Sequence, residues 1–304
     1  MKVIRSYSLI MVLVCLACMT LMIASCGNSD NSSTPTAVYT VEYVPGTGMN
    51  APMQGKTTFH LNITKTSDNS PAVGLTPTLS FTMHMMNGDT HTTPADLVSE
   101  STTTPGLYNC TAYYLMASGP TMGTWDMAVT VGGETTTFHP DVAMAMGTTT
   151  VRATLKGVTD KILSSSTGTA TENRTYYLFN DGLTSAMGGS YTFKLFIAAK
   201  ESIMSMPAIG NGSTLHDETN SAWTISSMTV YASTDGSTWL PATEGSIAGH
   251  WSVPGLSALT SGVTGTIYVQ MNVGNGTAVE QKTTDGMAVS GANGYASFIV
   301  TPGM

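Results

Sequence analysis

The run Met83-His84-Met85-Met86-Asn87-Gly88-Asp89-Thr90-His91 packs three thioethers and two imidazoles into nine residues of a chain with six histidines in all. Thioether sulfur suits Cu(I), and imidazole nitrogen suits copper in either oxidation state, so the pairing points to copper. The segment opens inside an apparent strand over 79–85 and leaves it through Asn87-Gly88-Asp89, a turn signal. Side chains alternate along a strand, so His84 and Met86 share one face while Met83 and Met85 share the other. At most one of these pairs faces a site and the other packs inward. His91 can return from the turn to join either set. The competing reading is a buried strand with methionine as adaptable filler and two surface histidines.

Positioning such donors falls to β-structure. Thr, Ser and Gly are abundant, only 10% of residues are charged, and no long amphipathic helical pattern appears. Short apolar or alternating runs over 38–44, 57–63, 79–85, 107–115, 123–131 and 135–142 are separated by turn residues, which predicts an immunoglobulin-like β-sandwich over 38–156. A Ser/Thr/Gly-rich stretch reads as a linker over 157–173, and a second β-sandwich is expected over 174–304. The Thr229–Trp239 run is a hairpin with an Asp235-Gly236 turn.

The second body opens with a near-copy of the first. Phe59-His60-Leu61-Asn62-Ile63 is echoed by Phe193-Lys194-Leu195-Phe196-Ile197. Gly123-Thr124 with Val131-Gly132 returns as Gly265-Thr266 with Val273-Gly274. Two matches in the same order suggest a duplicated sandwich. The copy also carries Met204-Ser205-Met206 and, further on, His216, which reads as a second Met-x-Met element with a nearby imidazole.

Residues 1–26 read as an export signal. Lys2 and Arg5 precede an apolar run that closes on Ile23-Ala24-Ser25-Cys26. That ending resembles the lipobox of bacterial lipoproteins. The resemblance implies cleavage before Cys26 and lipidation of its sulfur, usually with an acyl chain such as palmitate on the new amine. Two or three chains make a stable membrane anchor where one does not. Residues 27–37 are a polar, flexible tether. Gly27 rather than Asp after the cysteine points to the outer membrane, so the expected location is the bacterial cell envelope.

Loss of Lys2 and Arg5 with the leader takes the formal charge of −8 to −10, which excludes an electrostatic footprint for nucleic acid. Cys15 and Cys18 leave with the leader and Cys26 carries lipid, so Cys110 stands alone as a small buried hydrophobe. No Gly-x-Ser-x-Gly, His-Glu-x-x-His or phosphate-binding glycine loop is present. His216-Asp217-Glu218 offers a base beside carboxylates without a nucleophile. A non-catalytic monomer is the expectation.

Residues 55–142 carry an ordered set of landmarks. These are the Phe59-to-Ile63 strand, Ser70-Pro71-Ala72-Val73-Gly74-Leu75, the Met/His turn, Pro105-Gly106-Leu107-Tyr108, Gly119-Pro120-Thr121-Met122-Gly123-Thr124-Trp125 and Thr137-Phe138-His139-Pro140-Asp141-Val142. In this the chain resembles the YtkA-like domain, a small exported immunoglobulin-like module. Members commonly carry a Met- and His-rich segment at this place and often stand beside copper or cytochrome oxidase assembly functions. The resemblance implies copper handling. Met83-His84-Met85-Met86 lacks the proline often found in that segment.

The expected ligands are His84 and Met86 from one strand face, His91 from the turn, and Met122. Met83, Met85, Met116, Met204, Met206 and His216 are secondary candidates. The expected function is an envelope-anchored lipoprotein that binds copper through this Met/His cluster, for metal handling or for delivery to an envelope protein. The alternatives are a surface adhesion or assembly module, or an accessory to an envelope redox complex.

Overall fold

Among the described residues, eight strands build the first sandwich: β1 (Tyr39–Val44), β2 (Gly55–Lys65), β3 (Thr78–Met85), β4 (Thr90–His91), β5 (Ser99–Glu100), β6 (Leu107–Tyr114), β7 (Gly123–Val131) and β8 (Glu134–Phe138). They form two antiparallel sheets ordered β1-β2-β6-β5 and β4-β3-β7-β8. Lettered in chain order as A, B, C, C′, D, E, F and G, these are sheets A-B-E-D and C′-C-F-G. That is the immunoglobulin-like arrangement. Alternate residues face inward, among them Phe59, Leu61 and Ile63 on β2, Phe81 and Met83 on β3, and Trp125, Met127 and Val129 on β7. Strand β8 ends earlier than its sequence suggests, because Pro140 has no N–H to give to a ladder.

The structure is a computed structural model that describes residues 37–48, 51–164 and 170–303. The leader, the lipobox at Cys26 and nearly all of the tether lie outside the described residues. No helix among the described residues is long and apolar enough to cross a membrane.

The second sandwich repeats the strand order. Its strands are β9 (Arg152–Leu163), β10 (Thr171–Ser185), β11 (Tyr191–Ala199), β12 (Thr214–His216), β13 (Ala222–Ser233), β14 (Leu240–Pro241), β15 (Thr243–Glu244), β16 (His250–Leu256), β17 (Gly265–Asn275), β18 (Ala278–Gln281) and β19 (Ala296–Val300). One sheet runs β15-β16-β11-β10-β9, and the other runs β12-β13-β17-β18, with β14 on β13 and β19 on β17. Taking β10 as A gives D-E-B-A and C-F-G again, with β9 as an added edge. The two Phe-x-Leu-x-Ile runs fall on β2 and β11, and the two Gly-Thr pairs open β7 and β17.

Two expectations change. The 157–173 stretch is not a free linker, since 157–163 and 171–173 belong to the paired strands β9 and β10 of the second sandwich. The hydroxyls are concentrated over 164–171, while the 157–163 run before them carries the buried Ile162. Nor does the second Met-x-Met element match the first. Met204 and Met206 sit in the connection between β11 and β12, while the counterpart of β3 is β13.

From Val38 onward the chain forms one compact unit. Tyr113 and Leu115 of the first sandwich pack with Phe179, Phe196, Ala198 and Met206 of the second in a shared buried cluster. Around it, Lys56 Nζ lies 2.8 Å from Asp181 Oδ1, the Tyr113 hydroxyl donates to the same oxygen at 2.9 Å, and His250 Nε2 reaches Asp96 Oδ2 at 2.9 Å.

Candidate metal centre

Backbone geometry decides which donors meet. The β3–β4 turn closes through Met85 N–H to the Asp89 carbonyl at 2.9 Å and Gly88 N–H to the Met85 carbonyl at 3.0 Å, with Gly88 at φ 88°. Asn87 and Asp89 side chains bond within the turn. This reversal sets His91 directly across from Met83. Directly opposed residues project to the same side of a sheet, so His91 joins the core face with Met83, Met85 and Trp125.

On that face His91 is 9% exposed and its ring stands edge-to-face with Trp125 at 5.2 Å. Its Nδ1 lies 2.9 Å from the Thr92 carbonyl oxygen, and its Nε2 lies 3.0 Å from Met116 Sδ. A carbonyl only accepts, so Nδ1 carries the proton and donates it. Burial pushes the His91 pKa below its ordinary value, outweighing the Thr92 bond, so the ring is neutral near pH 7. In that tautomer Nε2 is a bare lone pair, and it faces a thioether that has no hydrogen to offer. The two electron-rich atoms converge with nothing between them to share.

Met116 is held as firmly as the ring. Its carbonyl accepts from Trp125 Nε1 at 3.0 Å. The Leu115 carbonyl accepts from Gln54 Nε2 and Arg152 Nη1, and Leu115 N–H donates to Thr93 Oγ1. Met85 and Met122 are half-buried against the same core. Between them, Gly123 lies so close to β3 that a Cβ there would stand 2.0 Å from the His84 carbonyl oxygen. At φ 129° that position belongs to glycine.

The expected ligand set is therefore split. His84 projects from the outer face of β3, but His91 is on the other side of the sheet and Met86 lies past the end of the strand. His84 Nε2 meets Asp126 Oδ2 at 3.0 Å, and His139 Nδ1 meets Asp126 Oδ1 at 2.8 Å, so one half-buried carboxylate is shared by two imidazoles. Met86 is 67% exposed on the turn. Met122 stays on the inner side of the same end, where the Met86 N–H reaches its carbonyl at 3.3 Å. The partner of His91 is Met116, which only tertiary packing brings beside it. Among the described residues, no group of three or more His, Cys, Asp or Glu side chains converges to hold a metal.

The second-body candidates do not assemble. Met206 is buried between the sandwiches, and Met204 lines a 410 Å³ cavity there with Phe81, Thr92 and Pro94. His216 Nδ1 binds Glu201 Oε2 at 2.9 Å, and Glu201 is anchored by the fully buried Arg174. Asp217 is turned away, accepting from Thr219 and Ser221 N–H groups. Cys110 is buried, and burial pushes its thiol up to about 12. The sequence carries no signal for the shared Asp126, since its position beside His84 depends on β3–β7 register.

No family model and no curated protein matches the chain. Among solved structures it is similar to InvD of Yersinia pseudotuberculosis, at 12% identity and a TM-score of 0.25, covering 86% of this chain and 58% of that one. It is also similar to a chimeric titin Z1Z2, at 11% identity and a TM-score of 0.20, covering 81% and 95% of the two chains. The chain thus spans a little over half the length of InvD. Likenesses at these scores carry no weight for function.

Proposed function

We propose that this is a lipid-anchored protein of the bacterial cell envelope that binds copper, for handling or delivery to an envelope partner. Cys26 carries the lipid, and His91 with Met116 forms the heart of the copper site. The reading rests on one observation above all: the unprotonated Nε2 of His91 is aimed at Met116 Sδ from 3.0 Å while Nδ1 is tied to a backbone carbonyl. A metal-bound histidine is commonly oriented in just this way, with its second nitrogen donating to a carbonyl. A soft cation accepts density from both atoms and removes their repulsion, which a hard cation does not.

Met83, Met85 and Met122, on the same face or at the same end, supply further thioethers next to the pair. A preference for Cu(I) follows from a sulfur-rich, half-buried donor set. The resemblance to YtkA-like domains is in keeping with this reading. The test is titration of the full chain with Cu(I) against a competing chelator. One tightly held ion per chain is the expected result. Failure to compete removes the copper reading and leaves a surface-module role ahead.

A further inference from the structure

Among the described residues, the connections at one end of the first sandwich carry six methionines. Met53 lies before β2, Met86 in the β3–β4 turn, Met116 and Met122 between β6 and β7, and Met144 and Met146 beyond β8. Hydrogen bonds tie these connections to one another. Met86 N–H donates to the Met122 carbonyl, Ser118 N–H to the Val142 carbonyl at 2.8 Å, and Gln54 N–H to the Ala143 carbonyl at 2.9 Å. Met144 thus follows two residues after the chain's contact with Ser118, and Met116 precedes that contact by two.

Exposure is graded across this end. Met86, Met144 and Met146 are 67%, 61% and 84% exposed, Met53 and Met122 are half-buried, and Met116 is half-buried against the sheltered His91. Scattered exposed apolar side chains need no explanation. Three on mutually bonded loops, around an imidazole–thioether pair, are a different matter. A single thioether holds Cu(I) weakly and releases it readily, and a soft ion passes by exchange of one such ligand for the next.

We propose that Met86, Met144 and Met146 form a loading surface for a soft monovalent cation, Cu(I) or silver, which delivers it to His91 and Met116. The proposal depends on the copper reading of that pair. These three residues would govern the rate of loading and the number of weakly held ions, and would leave the affinity of the buried site alone.

The experiment offers Cu(I) to the full chain from a coloured chelator without oxygen and follows loss of the chelate with time and at equilibrium. The variant carries Met86→Leu, Met144→Leu and Met146→Leu together. Exposed swaps of similar volume leave the fold intact. Loading should slow about tenfold, within the range over which association rates respond to surface changes. The weakly held ions should vanish while the tight affinity stays the same. Wild-type rate and stoichiometry in the variant would overturn the loading surface while the copper reading stands. A fall in tight-site affinity would also overturn it, by making these residues ligands of that site. A wild-type chain that takes no Cu(I) removes both readings.

Discussion

Tyr113 in the first sandwich and Phe196 in the second stack with ring centroids 3.8 Å apart and planes within 8° of parallel. Both rings are fully buried, in a cluster to which each sandwich contributes. The tandem is therefore joined by core, and its halves share stability.

Unfolding should reflect that. The wild-type chain is expected to melt in urea in a single transition, with fluorescence and far-ultraviolet circular dichroism coincident. Phe196→Ala opens a cavity in the shared cluster and should cost about 3–5 kcal/mol. It should also separate the two probes, since the halves then lose their common core.

The contact has a charged margin that titrates. Asp181, at 3.6 Å, and Asp96, at 2.9 Å, raise the His250 pKa to about 9. A pKa raised on folding means stability that is complete below the unfolded value of about 6.5 and is lost as pH rises through the folded one. Denaturation midpoints should thus fall between about pH 6.5 and 9 in the wild type. His250→Gln should flatten that window, and a slope unchanged in the variant would place the effect elsewhere.

For copper, the outer and inner faces of β3 should behave differently. Met116→Leu should lower Cu(I) affinity by about 10–100-fold, the scale of disturbance at a metal site. Its cost in stability should stay under about 1.5 kcal/mol because volume is kept. His91→Ala should act in the same direction on affinity. His84→Ala and His139→Ala should leave tight Cu(I) binding unchanged, since both side chains project from the outer face. Chelator competition across these variants checks the assignment, and equal losses at His84 and His91 would contradict it.

Cys110 provides an internal clock for opening of the first sandwich. Its thiol is buried and titrates at about 12, so alkylating agents should not touch it in the native state at neutral pH. In protein truncated to begin after Cys26 it is the sole cysteine. Modification should track the urea midpoint, measured by intact mass, and rapid native labelling would show a far looser strand β6.

The sequence alone determined what is local. Period-two alternation placed β2, β3, β6 and β7 nearly to their ends and set His84 against Met83, because neighbouring side chains in a strand must point to opposite faces. Asn87-Gly88-Asp89 announced the turn, the Phe-x-Leu-x-Ile repeat announced the second sandwich, and Cys110 was legible as buried. Tertiary structure decided what depends on pairing at a distance. The turn's register sent His91 to the face of Met83 instead of that of His84, and one residue more or less would have reversed it. Met116 reached His91 only because Trp125 on β7 and Arg152 on β9 hold the backbone on which it stands. The 157–163 run, read as linker because a hydroxyl-rich stretch follows it, became a strand because β10 was there to pair with it. Composition reports how a segment behaves when alone, and pairing partners decide what it becomes.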